Sequence, residues 1–333
     1  MTENTNNLTV SFSPHIFGKA SSSRIMLDVV IALIPAFIAS VLFFGPRAAL
    51  LTCVCVLACM LFEGAYQKLL NKPVTITDFS AVITGILIAF NLPVTIPLWM
   101  AIVGCFVAIV MVKQLFGGLG RNFANPAIVA RIVLFVAFPV AMGASWYMPD
   151  ATWATPSWML LVDATTSPTP LVYLTDRSMA GPEIMHALPS LFDMFVGIHG
   201  GSIGETSALA LLLGGIYLLV RRVIRWHIPV SFMATVAVLT FISGGFSFDF
   251  MLMQLLAGGL VLGAIFMATD YVTSPQTSKG RIVFGIGCGL LTVLIRQFGS
   301  YPEGVSFAIL LMNILVPFIN KLTMTKPLGG KKS

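Results

Sequence analysis

Ten apolar runs constrain this chain more than any other feature. They cover about residues 26–44, 48–69, 79–92, 98–116, 127–142, 207–220, 228–242, 251–268, 282–295 and 305–319. Lipid offers a backbone no hydrogen-bond partner, so a chain crosses it as helices or as a closed barrel. Barrel strands alternate apolar and polar residues, whereas these runs are continuous. The 333 residues are only 10% charged and 57% hydrophobic, against about 25% charged in a soluble domain. The expected class is an all-α polytopic membrane protein of about ten transmembrane helices. Several runs fall short of the roughly 20 residues a crossing prefers, which predicts helices that are broken or capped by polar backbone.

The net charge of +6 raises nucleic acid as a partner. The cations instead lie in short links at the ends of the runs, where they set orientation. With the N-terminus in the cytoplasm, Lys68, Lys72, Lys113, Arg121, Arg221, Arg222, Arg225, Lys279, Arg281 and the basic tail all fall on the cytoplasmic side. Only Arg47, Arg177 and Arg296 fall opposite. This predicts a multi-pass protein with both termini cytoplasmic, the lipid bilayer as surroundings and no nucleic-acid partner. Residues 1–23 are polar and the first run is too long for a signal peptide, so no cleavable leader is expected. All five cysteines lie inside apolar runs and read as small core residues.

A weak internal repeat organises the runs. Residues 116–126, Phe-Gly-Gly-Leu-Gly-Arg-Asn-Phe-Ala-Asn-Pro, are followed by Arg131-Ile132-Val133; residues 267–275 are followed by Arg281-Ile282-Val283. One echo follows the fourth run and the other the eighth. Five runs and five runs give halves of opposite orientation, as in inverted-repeat transport folds. The expected organisation is a cytoplasmic segment 1–25, a first five-helix repeat 26–143, an outer loop 144–204, a second five-helix repeat 205–320 and a cytoplasmic tail 321–333. In such folds the sites lie between the halves at broken helices, which directs attention to the two echoing links.

Chemistry-bearing residues are few. In the outer loop, residues 163–171 read Asp-Ala-Thr-Thr-Ser-Pro-Thr-Pro-Leu, with four hydroxyls in five residues beside prolines that forbid regular helix. Thr169 is the residue this stretch presents. Residues 199–207 on the same side are Gly-rich before a helix and could form a nest of N–H groups for a phosphate, with Ser202 among them. Asn122, Asn125 and Asp270 lie in the echoing links. Their short amides and carboxylate suit the edge of a heterocycle or a helix N-terminus, and Asn125 before Pro126 reads as a helix cap. Ionisable residues near or within apolar runs count as functional candidates by default; among Asp28, Glu63, Asp78, Asp249, Asp270 and Glu303, Asp28 and Glu63 are the candidates for a cation or proton path. The histidines have no metal-ligand spacing, and no catalytic triad or paired carboxylates are visible.

These residues together resemble the NqrB/RnfD family. The resemblance rests on residues 117–127 with Arg131 and residues 135–139, on Met267-Ala268-Thr269-Asp270, on residues 201–207 and on Ser13-Pro14-His15-Ile16, and it covers nearly the whole chain. It implies FMN joined through its phosphate to the last threonine of a Ser/Thr-Gly-Ala-Thr motif by a flavin transferase. The matching residues here are Thr166-Ser167-Pro168-Thr169, with Ser-Pro in place of Gly-Ala; Thr165 and Thr166 are the alternative acceptors. The resemblance further implies a noncovalent riboflavin nearer the cytoplasm, in a region matching Asn122, Asn125 and Asp270. It also implies a fold similar to urea and ammonium transporters, in a bacterial or archaeal inner membrane.

The function so implied is that of a flavoprotein subunit of an Rnf complex. Such a subunit relays electrons through FMN and riboflavin while the complex couples ferredoxin:NAD⁺ electron transfer to Na⁺ or H⁺ movement. The chain has no CxxC array and no GxGxxG. Iron–sulfur and nicotinamide sites therefore fall to partners, here RnfA, RnfB, RnfC, RnfE and RnfG. The rivals are a quinone-linked NqrB-like subunit, an inverted-repeat channel without flavin, and a structural subunit that has lost its flavin.

Overall fold

The computed structural model describes residues 22–143, 169–175, 189–205, 207–299 and 303–324. Among them every regular element is helical. The first half contains α1 (Ser22–Phe44), α2 (Pro46–Leu69), α3 (Ser80–Phe90), α4 (Leu98–Phe106, continuing as a π-helix over Val107–Gln114), α5 (Pro126–Ala137) and α6 (Pro139–Gly143). Two short helices follow, α7 (Pro170–Thr175) and α8 (Leu191–Val196). The second half contains α9 (Ala208–Val220), α10 (His227–Ser243), α11 (Phe248–Leu256), α12 (Leu260–Leu262, continuing as a π-helix over Gly263–Met267), α13 (Ser278–Phe298) and α14 (Gly304–Thr323).

Each of the ten apolar runs holds a helix, and their lengths differ. Four helices, α1, α2, α13 and α14, are long and apolar enough to cross a membrane. A fifth arises if α11 and α12, bent by 66° about their break, count as one. The protein is therefore a multi-pass membrane protein. The 11 residues of α3 rise about 16 Å, roughly half a hydrocarbon core of about 30 Å. Local chemistry sets these breaks. Pro139 interrupts the run at Phe138, because the residue before a proline is pushed out of helical geometry. Ala257-Gly258-Gly259 opens the bend between α11 and α12.

Packing sorts the faces. On α1, Leu27, Ile31, Ile34, Ile38 and Leu42 form an exposed stripe at three- and four-residue spacing, whereas Ala32, Leu33, Ala36 and Ser40 are buried. An apolar outward stripe with small residues inward is the pattern of a lipid-facing helix. Across that inward face α9 comes so close that a Cβ on Gly214 would stand 2.0 Å from the Ala32 carbonyl. In the second half α10 packs on α13 and α13 on α14.

The two echoing links meet in space. Asn125 caps α5 by accepting from the Ala127 N–H at 3.0 Å, as its place before Pro126 predicts. Its amide also donates to the Met267 carbonyl at 3.3 Å, 142 positions away. The Asn313 amide, oriented so that both bonds form, donates to the Thr273 carbonyl at 3.1 Å and accepts from the Asn125 N–H at 3.3 Å. Each link follows a π-helical stretch, an irregularity that concentrates at functional sites.

Candidate functional site

A cleft opens where these links meet. Asn122, Asn125, Asp270 and Tyr271 line it with Lys113, Ser80 and Thr84, and Met26, Val29, Leu87, Ile265 and Phe266 supply apolar walls. Its enclosed volume is about 90 Å³, and it opens to solvent at its mouth. All three of Asn122, Asn125 and Asp270 thus share one wall system. Asn125 has both ends of its amide engaged. The Asn122 Oδ1 is buried and meets no donor among the described residues. Buried polar atoms are normally satisfied, so an N–H donor belongs opposite it. Asp270 accepts from the Val272 N–H at 3.4 Å and the Thr273 hydroxyl at 3.1 Å. Burial pushes its carboxyl above the ordinary range, against the pull of those two bonds. Apolar walls with an orphan acceptor and a carboxyl suit the edge of a heterocycle carrying both N–H and C=O groups.

Behind the cleft lies a buried charge network that the sequence pattern does not reveal. Lys113 is 1% exposed; its ammonium donates to Glu63 Oε2 at 2.7 Å and to the Ser80 hydroxyl at 2.6 Å. Glu63 also accepts from Gln114 at 2.9 Å and Gln67 at 3.4 Å. Lys113 is therefore not a cation of a cytoplasmic link. The one sequence signal is its place inside the fourth apolar run, where an ionisable residue counts as functional. Of the two candidate ion-path residues, Glu63 is neutralised here and Asp28 by Arg221 at 3.2 Å, with the Tyr217 hydroxyl donating to it at 3.0 Å.

A second polar cluster surrounds the end of α7. Thr169 is 4% exposed and immediately precedes Pro170, the first residue of α7. Leu171 packs with Met194 and Ala257. A Cβ on Gly258 would stand 3.0 Å from Leu171 Cδ2, 3.0 Å from Arg296 Nη2 and 3.4 Å from Glu205 Oε1, so three segments converge there. Arg296 pins the break, donating to the carbonyls of Gln254 at 2.7 Å and Ala257 at 2.9 Å. Its Nε meets no acceptor among the described residues. Ser202 donates to Glu205 at 2.5 Å. The N–H groups of Ile203 and Gly204 donate to the Leu92 and Phe90 carbonyls at 3.1 and 3.0 Å. The Gly-rich stretch thus spends those donors on backbone rather than holding them free as an anion nest.

Next to it, Arg131 donates to Asn91 Oδ1 at 2.6 Å and to Glu303 Oε2. His199 is buried, and burial pushes its imidazole below the ordinary range although Glu205 opposes this. Arg296, which the charge pattern assigns to an outer link, lies in the last turn of α13 and is buried. Thr165, Thr166 and Ser167 lie outside the described residues. From Gly259 to Phe266 the α12 segment joins the two clusters, a rise of about 10 Å.

Comparison with known proteins places this geometry. The model of the NQR2, RnfD, RnfE family matches residues 9–329. The chain is 44% identical to the D subunit of the Na(+)-translocating ferredoxin:NAD(+) oxidoreductase complex of Acetobacterium woodii, over 98% of this chain and 96% of that protein. It is 43% identical to the D subunit of the proton-translocating ferredoxin:NAD(+) oxidoreductase complex of Clostridium ljungdahlii, over 98% of each. To the D subunit of the ion-translocating oxidoreductase complex of Stutzerimonas stutzeri it is 40% identical, over 93% of each.

Proposed function

The chain belongs to the NQR2, RnfD, RnfE family, and from that premise we propose that it is the D subunit of an Rnf-type, ion-translocating ferredoxin:NAD⁺ oxidoreductase complex. It sits in a bacterial or archaeal cytoplasmic membrane with both termini inside, as ten membrane segments in two inverted five-helix repeats. Thr169, in the outer loop, carries FMN through a phosphoester placed by a flavin transferase. The cleft takes riboflavin noncovalently. The full-length match to D subunits supports this over the quinone-linked rival.

The observation that carries the reading is the cleft itself. Two links far apart in sequence are tied by Asn125 and leave a buried acceptor, Asn122 Oδ1, without a donor among the described residues. The flavins supply the electron-transfer chemistry when bound, and the chain supplies position and electrostatics. Asn122 would offer its buried Oδ1 to an N–H of such a ring. Asp270, held by Val272 and Thr273, meets the polar edge of the ring as donor or acceptor according to its protonation. Leu87, Ile265 and Phe266 would supply the apolar walls against the ring. Gln254, whose amide donates to the Leu174 carbonyl at 3.4 Å, ties the segment that begins at Thr169 to α11. The ion is not set by overall similarity, since relatives at 44% and 43% identity are named for Na⁺ and for protons. RnfA, RnfB, RnfC, RnfE and RnfG are the partners, and the ferredoxin and nicotinamide chemistry belongs to them.

In-gel flavin fluorescence tests the covalent site. The denatured chain co-expressed with a flavin transferase is expected to fluoresce, and Thr169→Val to be dark. A dark wild-type band refutes the assignment, and a fluorescent variant moves the acceptor to Thr165 or Thr166.

A further inference from the structure

We propose that Lys113 sets the reduction potential of the ring in the cleft by turning the positive end of its ion pair with Glu63 toward the ring's edge. This rests on the cleft being the riboflavin site. Among the described residues lining it, Lys113 and Asp270 are the two charged side chains, and Lys113 is the cation. An ammonium has three donors; here two meet acceptors, Glu63 at 2.7 Å and Ser80 at 2.6 Å. The third N–H meets no acceptor among the described residues.

The geometry of the pair gives this charge a direction. Glu63 does not line the cleft. Gln114 and Gln67 hold its carboxylate from the other side at 2.9 and 3.4 Å. A bound ring therefore faces the positive end of the pair and is shielded from the negative end. Ser80 is itself fixed, since its hydroxyl and N–H both donate to Asp78 Oδ1 at 2.5 and 2.9 Å, so the ammonium cannot swing away without breaking a chain of bonds. Lys113 reaches this place on the π-helical stretch that ends at Gln114.

A bound ring would take up one electron from a donor and with it one negative charge. Lys113 keeps its three protons and no bond in the chain forms or breaks. In a poorly solvated site a neighbouring cation stabilises that added charge far more than it would in water. Lys113 is thus a positioning charge that favours the reduced ring, and Glu63 limits how strongly it does so.

The two partners are predicted to act in opposite directions, which a merely structural ion pair would not do. The experiment uses the full-length chain expressed without a flavin transferase, reconstituted with riboflavin and titrated spectroelectrochemically with dithionite and redox mediators. Lys113→Met should disfavour reduction at least ten-fold, a fall of about 59 mV for a one-electron couple. Glu63→Gln should raise the potential, Lys113→Arg should stay near wild type, and the Lys113→Met/Glu63→Gln double variant should lie between the singles. Riboflavin retained with unshifted potentials, or both single variants shifting the same way, overturns the role of Lys113. Acid extraction before each titration separates the two claims: a wild-type chain that holds no riboflavin overturns the cofactor reading, and this inference with it.

Discussion

Gly258 joins α7, which begins one residue after Thr169, to the buried charges of the second half, and replacing it by alanine tests that junction. Its φ is +73, and an added Cβ would stand 3.0 Å from both Leu171 Cδ2 and Arg296 Nη2. Two costs follow. A left-handed alanine costs roughly 1–2 kcal/mol. Overpacking against Leu171 and Arg296 adds about 1–3 kcal/mol. Gly245, in the link between α10 and α11, provides the matched control: its φ is +68 and nothing lies within 4 Å of an added Cβ. Gly245→Ala should therefore show the backbone cost alone.

Unfolding in mixed micelles by sodium dodecyl sulfate titration should then place Gly258→Ala about 1–3 kcal/mol below Gly245→Ala. The functional counterpart is flavin incorporation at Thr169, which should fall in Gly258→Ala as Leu171 is displaced, and hold in Gly245→Ala. Equal destabilisation by the two variants would refute the three-way packing at Gly258. Unequal stability with equal flavin incorporation would refute its link to Thr169.

Two further outcomes are expected. Asn125→Ala loses a helix cap worth about 1 kcal/mol and a bond to Met267 worth about 1 kcal/mol; Asn125→Asp keeps the cap and loses only the second, so micellar unfolding should rank wild type, Asp, Ala. His199 is held below its ordinary pKa by burial. The unfolded chain therefore takes up its proton first as pH falls below about 6.5, and stability drops from there until the folded-state pKa is reached. His199→Gln should flatten that acid-side loss in a pH series of the same titration.

Periodicity and punctuation are enough to read most of the local structure. Every apolar run is helical, Asn125 caps the helix that Pro126 starts, and Pro139 breaks the fifth run. These follow from backbone rules acting over a few residues. Helix lengths are less legible. An apolar run reports the surroundings of its side chains, whereas the ends of α3 and the bend between α11 and α12 depend on what packs against them. Of the candidate site, the sequence marks Asn122, Asn125 and Asp270 through the repeated links and Thr169 through its polar, proline-flanked setting.

The sequence by itself determined that this is a helical membrane protein and which residues are polar where polarity is costly. The tertiary structure alone decided which charges are buried and with whom. Lys113 meets Glu63 fifty positions away, Arg131 meets Asn91 and Glu303, and Arg296 closes on the α11–α12 break. Its place inside the fourth apolar run marks Lys113 as unusual, but nothing local says which groups it meets. A buried ammonium is tolerable only where distant segments deliver a carboxylate and a hydroxyl to it, and that delivery is a property of the folded chain.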